Sequence, residues 1–144
     1  LRIANPYGER QRIGGAQGAI AVFLGHIKNQ QPIEIWGDGS VARDYLYIAD
    51  LVQAIMKACT LNCPLKLFNI GSGQPLSLNE LVAELVKVSG YSVPVVYKDA
   101  RSCDSPVNFL DCQHALEHLD WQPQVDLQTG LKQTWEWVLA NAPA

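Results

Sequence analysis

The chain of 144 residues has no apolar run near the roughly 20 residues that a membrane-spanning helix needs. Its basic residues form no cluster, and 11 basic against 14 acidic residues give a formal net charge of −3, which argues against a nucleic-acid groove. Because 48% of the residues are hydrophobic and only 17% are charged, the composition excludes a disordered tail. We therefore expect one globular unit, residues 1–144, that binds neither nucleic acid nor membrane.

The cysteines contain no C-x-x-C pair; they are Cys59, Cys63, Cys103 and Cys112. The sequence shows no secretory signal peptide, so we expect reduced thiols and a cytoplasmic location. Zinc ligation by the first two cysteines with His114 and His118 is the alternative, but structural zinc sites usually have tighter cysteine pairs. The sequence therefore predicts no metal site.

Strand-like and helix-like patterns alternate along the chain, which predicts an α/β fold. The expected strands are 33–36, 45–48, 67–70, 93–97 and 108–110, and the expected helices are 20–27, 50–59, 77–90 and one beginning near residue 126. The first residues, Leu-Arg-Ile-Ala, are typical of a strand already in progress. We therefore expect the chain to be a piece of a longer protein.

Two local motifs sharpen this picture. The Gly-Asp-Gly-Ser turn at residues 37–40 predicts a hairpin between strand 33–36 and the strand that carries Tyr45. Ser77 and Glu80 have the spacing of a capping box, and Gly90 is suited to the end of the helix that follows it.

A glycine pair, Gly71 and Gly73, follows a short predicted strand and precedes a helix, as in a dinucleotide-binding loop. The third glycine of that fingerprint would stand at position 76, where the chain has Leu76. A tight turn is therefore the better interpretation. No Gly-x-Ser-x-Gly motif is present either, which argues against a hydrolase with a serine nucleophile.

Two arginines have carboxylates near them in sequence: Arg43 precedes Asp44, and Arg101 is followed by Asp104. A guanidinium presents a rigid fork of donors that matches phosphate oxygens. An exposed Arg–Asp ion pair within each motif is the alternative, and it would contribute little to stability. The residues alone leave both interpretations open.

Six motifs follow one another in the order of a known family: residues 2–8 (RIANPYG), 35–39 (IWGDG), 43–50 (RDYLYIAD), 68–73 (FNIGSG), 101–104 (RSCD) and 119–123 (LDWQP). The chain resembles the C-terminal half of the NAD-dependent nucleotide-sugar epimerases and dehydratases. These are extended short-chain dehydrogenase/reductases, of which UDP-glucose 4-epimerase is the best-known member. The resemblance covers the whole chain.

The resemblance implies that NAD is bound by an N-terminal Rossmann domain, which also supplies a catalytic Tyr-x-x-x-Lys. None of the five tyrosines here is followed four places later by lysine. The chain is therefore expected to contain no catalytic residue, to be inactive alone, and to form the substrate-binding lobe of a small mixed α/β type. Its expected partners are a nucleotide sugar and its own Rossmann domain, and the parent protein is expected to be a homodimer.

The resemblance also implies a set of substrate-binding residues: Asn5, Gln17, Gly18, Glu34, Trp36, Arg43, Tyr45, Arg101 and Asp104. The two arginines would hold the diphosphate, with the first three residues and the tyrosine close to it. The strand from 34 to 36 would hold the uracil, and the aspartate would meet the ribose or the adjoining backbone. The chain has Ser102 and Cys103 where many relatives have Pro-Gly, and Ala49 where some have aspartate.

The implied activity is that of an NAD-dependent sugar-nucleotide 4-epimerase acting in surface-polysaccharide synthesis. A 4,6-dehydratase or a 4-ketosugar reductase on the same scaffold is one alternative, because the residues that separate these reactions lie outside the resembling half. A non-catalytic nucleotide-sugar sensor is an alternative of another class. The sequence does not identify the sugar or the base.

Overall fold

The computed structural model describes residues 1–15, 17–60, 67–101 and 104–141. Its helices are α1 (Ala19–Lys28), α2 (Ile48–Thr60), α3 (Leu78–Ser89), α4 (Gln113–Leu119) and α5 (Leu127–Asn141). Its strands are β1 (Arg2–Ile3), β2 (Asn5–Tyr7), β3 (Ile33–Trp36), β4 (Ala42–Tyr47), β5 (Asn69–Ile70), β6 (Pro75–Ser77), β7 (Val95–Lys98) and β8 (Val107–Asn108). The predicted α/β class is confirmed, and no helix in these ranges is both long and apolar enough to cross a membrane.

Strand β4 is the centre of the largest sheet. Its second half pairs in parallel with β2, and its first half pairs with β6 antiparallel and with β8 in parallel. Two smaller parallel pairs, β1 with β5 and β3 with β7, complete the strands of the described ranges. Strand β4 therefore brings four segments of the chain together.

The hairpin predicted at residues 37–40 is wrong, because β3 pairs with β7 and not with β4. The turn itself forms: Gly37 and Gly39 have φ angles of 84° and 78°, and the Asp38 carboxylate accepts hydrogen bonds from the Ser40 backbone and hydroxyl. Asn79 of α3 donates to the Asp38 carbonyl oxygen at 2.9 Å. The turn therefore contacts a distant helix at the point where the chain passes from one sheet to another.

The capping box is confirmed at the start of α3. The Ser77 hydroxyl accepts from the Glu80 backbone N–H, and the Glu80 carboxylate accepts from the Ser77 backbone N–H. Hydrogen bonds from Ser77 lower the pKa of Glu80 from its ordinary value. Gly90 ends the helix in the left-handed conformation, with a φ of 74°.

We expect Ser77→Ala to lower the free energy of unfolding by about 1 kcal/mol, because the Glu80 backbone N–H then loses its acceptor. The pKa of Glu80 should rise part of the way towards its ordinary value in the same variant, because the bond from the Ser77 hydroxyl is lost while the bond from the backbone N–H at position 77 remains. Chemical denaturation and NMR titration measure the two effects. Ser92→Ala, in the loop after α3, is the control, and equal stability of the two variants would contradict the assignment.

The buried apolar side chains form two clusters. The larger cluster joins α1, α3 and α5 to β2, β3 and β4, with Ile20, Leu24, Leu81 and Leu131 among its fully buried members. The smaller cluster joins α2 and α4 to β4 and β5, and Trp121 is its largest fully buried side chain. The larger cluster fixes the helix and the three strands that surround the cavity described next.

The Leu-x-Trp-x-Pro motif is fastened to α2 by one buried carboxylate. Asp50 accepts hydrogen bonds from the backbone N–H groups of Gln124 and Val125, both at 3.0 Å. The Trp121 indole donates to the Asp50 carbonyl oxygen, also at 3.0 Å. Asp50, predicted as the first residue of its helix, lies in the first turn of α2, which begins two residues earlier at Ile48.

Candidate functional site

A cavity of about 470 Å³ opens between α1, β3 and the β2–β4 pair. Its lining includes all of the substrate-binding residues implied by the resemblance: Asn5, Gln17, Gly18, Glu34, Trp36, Arg43, Tyr45, Arg101 and Asp104. These residues come from five separate segments of the chain. The structure therefore brings the whole set together, while their roles towards a ligand stay a prediction.

Alternation along β4 decides which side chains face the cavity. Arg43 and Tyr45 line it, whereas Asp44 between them is buried with 1% of its surface exposed. Successive side chains of a strand point to opposite faces of the sheet. An ion pair between Arg43 and Asp44 is therefore excluded, and that interpretation of the sequence is wrong.

Arg43 is held in place by its own strand and by residues 104 and 105. Its guanidinium donates to the carbonyl oxygens of Ala42 at 2.9 Å and Ser105 at 2.7 Å. The Asp104 carboxylate lies 3.6 Å from the same group. Asp104 thus pairs with Arg43 and not with Arg101, contrary to the surface pair that the sequence left open.

Arg101 reaches the cavity from the segment after β7. Its guanidinium carbon lies 4.3 Å from the centroid of the Trp36 ring, within the range of a cation–π contact. No carboxylate forms an ion pair with Arg101 in the part of the chain that the structure describes. Its positive charge is therefore left without an acidic partner at the cavity.

Strand β3 lines the cavity with Glu34, Ile35 and Trp36. Ile33 and Ile35 are buried in the larger cluster, so Glu34 and Trp36 face the other way. Lys98 of the neighbouring strand lies 3.3 Å from the Glu34 carboxylate. This pairing leaves Glu34 without excess negative charge beside Arg101.

The N-terminal wall is formed by β2 and the residues before α1. The Asn5 amide donates to the Asp44 carbonyl oxygen at 2.9 Å, which fixes its side chain against β4. Gly18 has a φ of 86°, and a Cβ at that position would collide with the Gln11 side chain. Gln17, the preceding residue, also lines the cavity, so the backbone at residues 17 and 18 forms part of its wall.

Two buried polar atoms of the described ranges have no hydrogen-bond partner: the Tyr45 hydroxyl and the Gln11 amide oxygen. Both residues line the cavity. Burial raises the pKa of Tyr45 to about 12, with the nearby Arg43 charge acting in the opposite direction. The hydroxyl is therefore protonated at neutral pH and retains a hydrogen bond to donate. Because unpaired buried polar atoms are uncommon, their place in this wall favours a polar ligand.

Sequence reasoning missed several residues of the lining, among them the polar residues Gln11 and His26. Gln11 lies in an irregular loop and has no neighbouring motif to mark it. His26 lies on α1 one helical turn beyond Val22 and Phe23, which also line the cavity, and its Nδ1 pairs with the Pro32 carbonyl oxygen. The 3.6-residue period of α1 could have indicated His26, because it lies on the same side of the helix as Val22 and Phe23.

The glycine pair after β5 has a structural explanation. The Asp44 carboxylate accepts hydrogen bonds from the Ser72 backbone and hydroxyl, from the Gly73 backbone and from the Leu110 backbone. A Cβ at Gly71 would collide with this carboxylate. The N–H groups of Ser72 and Gly73 are therefore already occupied, which supports a tight turn at this loop and not a phosphate-binding loop.

No group of three or more histidine, cysteine or acidic side chains capable of holding a metal ion occurs in the described ranges. His114 and His118 contact each other edge to face, at 5.8 Å between ring centroids, and Cys59 is an exposed free thiol. Cys63 and Cys103 lie outside the described residues.

The model of the NAD dependent epimerase/dehydratase family matches residues 1–71. The chain is 40% identical to dTDP-4-dehydro-6-deoxyglucose reductase of Escherichia coli over 91% of its own length and 42% of the relative's length. It is 37% identical to a putative UDP-glucose 4-epimerase of Methanocaldococcus jannaschii, over 98% of its own length and 45% of the relative's length.

The crystal structure of UDP-glucose 4-epimerase from Thermotoga maritima with UDP-glucose matches this fold with a TM-score of 0.92 and 37% identity. The match covers 96% of this chain and 45% of that one. The chain therefore spans less than half the length of each of these relatives.

Proposed function

Because the chain belongs to the NAD dependent epimerase/dehydratase family, we propose that it is the nucleotide-sugar-binding lobe of a sugar-nucleotide 4-epimerase. The lobe binds the nucleoside diphosphate and leaves the sugar free to reach a reaction centre supplied by the rest of a longer protein. The relatives act on nucleotide sugars by epimerisation or reduction, as their names state.

The observation that carries this proposal is the convergence of Arg43 and Arg101 on one cavity. Two guanidinium groups from different segments match the two negative charges of a diphosphate without requiring a basic protein. Arg43 is pre-oriented by two carbonyl oxygens, so little side-chain entropy is lost on binding. The Tyr45 hydroxyl, protonated at neutral pH, is a further donor beside them.

NAD is the cofactor that the family name implies, and it supplies hydride transfer when bound. The glycine loop at 71–73 does not fit it, because the N–H groups of Ser72 and Gly73 are committed to the Asp44 carboxylate. We propose that the parent protein binds NAD through a Rossmann domain and that the residues of this chain act only on the substrate. The parent is proposed to be a homodimer.

A 4-ketosugar reductase is the second candidate, favoured by the 40% identity to dTDP-4-dehydro-6-deoxyglucose reductase. The two activities require the same diphosphate-binding lobe, so the cavity is compatible with either. A 4,6-dehydratase or a non-catalytic nucleotide-sugar sensor would use the same lobe as well.

Calorimetric titration of the 144-residue chain with UDP, dTDP and NAD tests the proposal. We expect saturable binding of UDP or dTDP and no binding of NAD, because the cavity supplies the diphosphate contacts while the glycine loop is occupied. A dissociation constant weaker than about 1 mM for both nucleotides would contradict the proposal. NAD binding tighter than either nucleotide would instead assign the cavity to the cofactor.

A further inference from the structure

The charges around the cavity mouth are unevenly paired. The Asp104 carboxylate lies beside Arg43, and the Glu34 carboxylate lies beside Lys98. Arg101 is the third cation of this group, and among the described residues its recorded side-chain contact is the Trp36 ring. The unpaired positive charge at the cavity mouth is therefore that of Arg101, which packs against the Trp36 ring.

An aromatic ring orients a guanidinium without neutralising it. A carboxylate partner would offset the positive charge of Arg101, whereas the Trp36 ring leaves that charge and the five N–H donors at the edge of the guanidinium available. Trp36 is 43% exposed, so its ring is not required to fill the core. The backbone that carries the ring is held in place, because β3 pairs with β7 across all four of its residues.

We propose that Trp36 is a positioning residue that holds Arg101 at the mouth of the cavity, ready for the diphosphate. This inference rests on the proposed nucleotide-sugar site and assigns Trp36 a part in phosphate binding in addition to any contact with the base. Since the guanidinium covers a face of the ring, the base does not stack on that face while Arg101 is in place.

A double-mutant cycle separates the two roles of the ring. UDP binding is measured for the unmutated chain and for three variants: Trp36→Leu, Arg101→Ala and the double variant. We expect Trp36→Leu alone to weaken UDP binding by about three- to tenfold, because Arg101 loses its support. In the Arg101→Ala background the same change should alter the affinity by no more than about twofold.

The conservative variant Trp36→Phe retains an aromatic face and should keep the affinity within about threefold of the parent. Phe109→Leu is the control, since Phe109 is a comparably exposed aromatic residue outside the cavity lining, and it should leave UDP binding unchanged. Thermal unfolding checks that each variant folds, and Trp36→Thr, with a side chain suited to strands, replaces the leucine variant if that one does not.

An equal loss of affinity in both backgrounds would overturn the inference, because Trp36 would then act on the ligand directly. So would the absence of any loss in the parent background. If the unmutated chain does not bind UDP, the proposed function fails, and this result is distinct from the other two.

Discussion

Replacing Asp44 by asparagine is expected to lower the free energy of unfolding by about 2–5 kcal/mol, a large part of the roughly 5–15 kcal/mol that stabilises a typical domain. Each carboxylate oxygen of Asp44 accepts two hydrogen bonds: Oδ1 from the Ser72 N–H and hydroxyl, Oδ2 from the Gly73 and Leu110 N–H groups. The amide of asparagine has the same shape, but its nitrogen cannot accept. The two groups that donate to one oxygen of Asp44 would therefore face the NH2 group of asparagine, at a position where the side chain is 1% exposed.

Denaturant unfolding of the Asp44→Asn variant measures this loss. Asp99→Asn is the matched control, because Asp99 is exposed and forms no hydrogen bond or ion pair within the described ranges. We expect a loss of less than about 0.5 kcal/mol for that variant. If Asp44→Asn unfolds at the same denaturant concentration as the control, the four hydrogen bonds do not hold the loop at 71–73 to β4. The stabilising role assigned to Asp44 would then be wrong.

The parts of the fold that depend on local chemistry were predictable. The capping box at Ser77, the end of α3 at Gly90 and the alternation of β3 were all confirmed, because each depends on residues within a few positions of one another. The pairing of β3 was not predictable, because the turn at 37–40 is equally suited to a hairpin and to a crossing between sheets. In the structure the turn is contacted by Asn79, which lies about forty residues away in sequence, and such a distant contact is not indicated by the turn residues themselves.

The candidate site divides in the same way. The resemblance supplied nine residues of the lining, but the residues alone left open whether the arginines bind phosphate or form surface ion pairs. Only the fold brings Asp104 to Arg43 and sets Arg101 over Trp36. Gln11 was missed because its place in the wall depends on the close approach of Gly18, which no sequence pattern indicates.

Removal of the Arg101 guanidinium, in Arg101→Ala, is expected to weaken UDP binding by about ten- to a hundredfold. Arg101 has no acidic partner in the described ranges, so its charge is available to a phosphate, and a hydrogen bond between charged groups is worth about 1.5–3 kcal/mol. UDP alone should lose nearly as much as UDP-glucose, because the guanidinium holds the phosphates and not the sugar. Calorimetric titration of both ligands measures the two losses.

Arg43→Ala should cause a loss of similar size, but it also removes the bonds to the Ala42 and Ser105 carbonyl oxygens. The free energy of unfolding should therefore fall in Arg43→Ala. It should remain near that of the unmutated chain in Arg101→Ala, because a solvent-exposed contact contributes little to folding. Arg10→Ala and Arg12→Ala are the controls, because both arginines are exposed and neither lines the cavity. If UDP binds Arg43→Ala and Arg101→Ala as tightly as it binds these controls, the diphosphate does not lie between the two arginines.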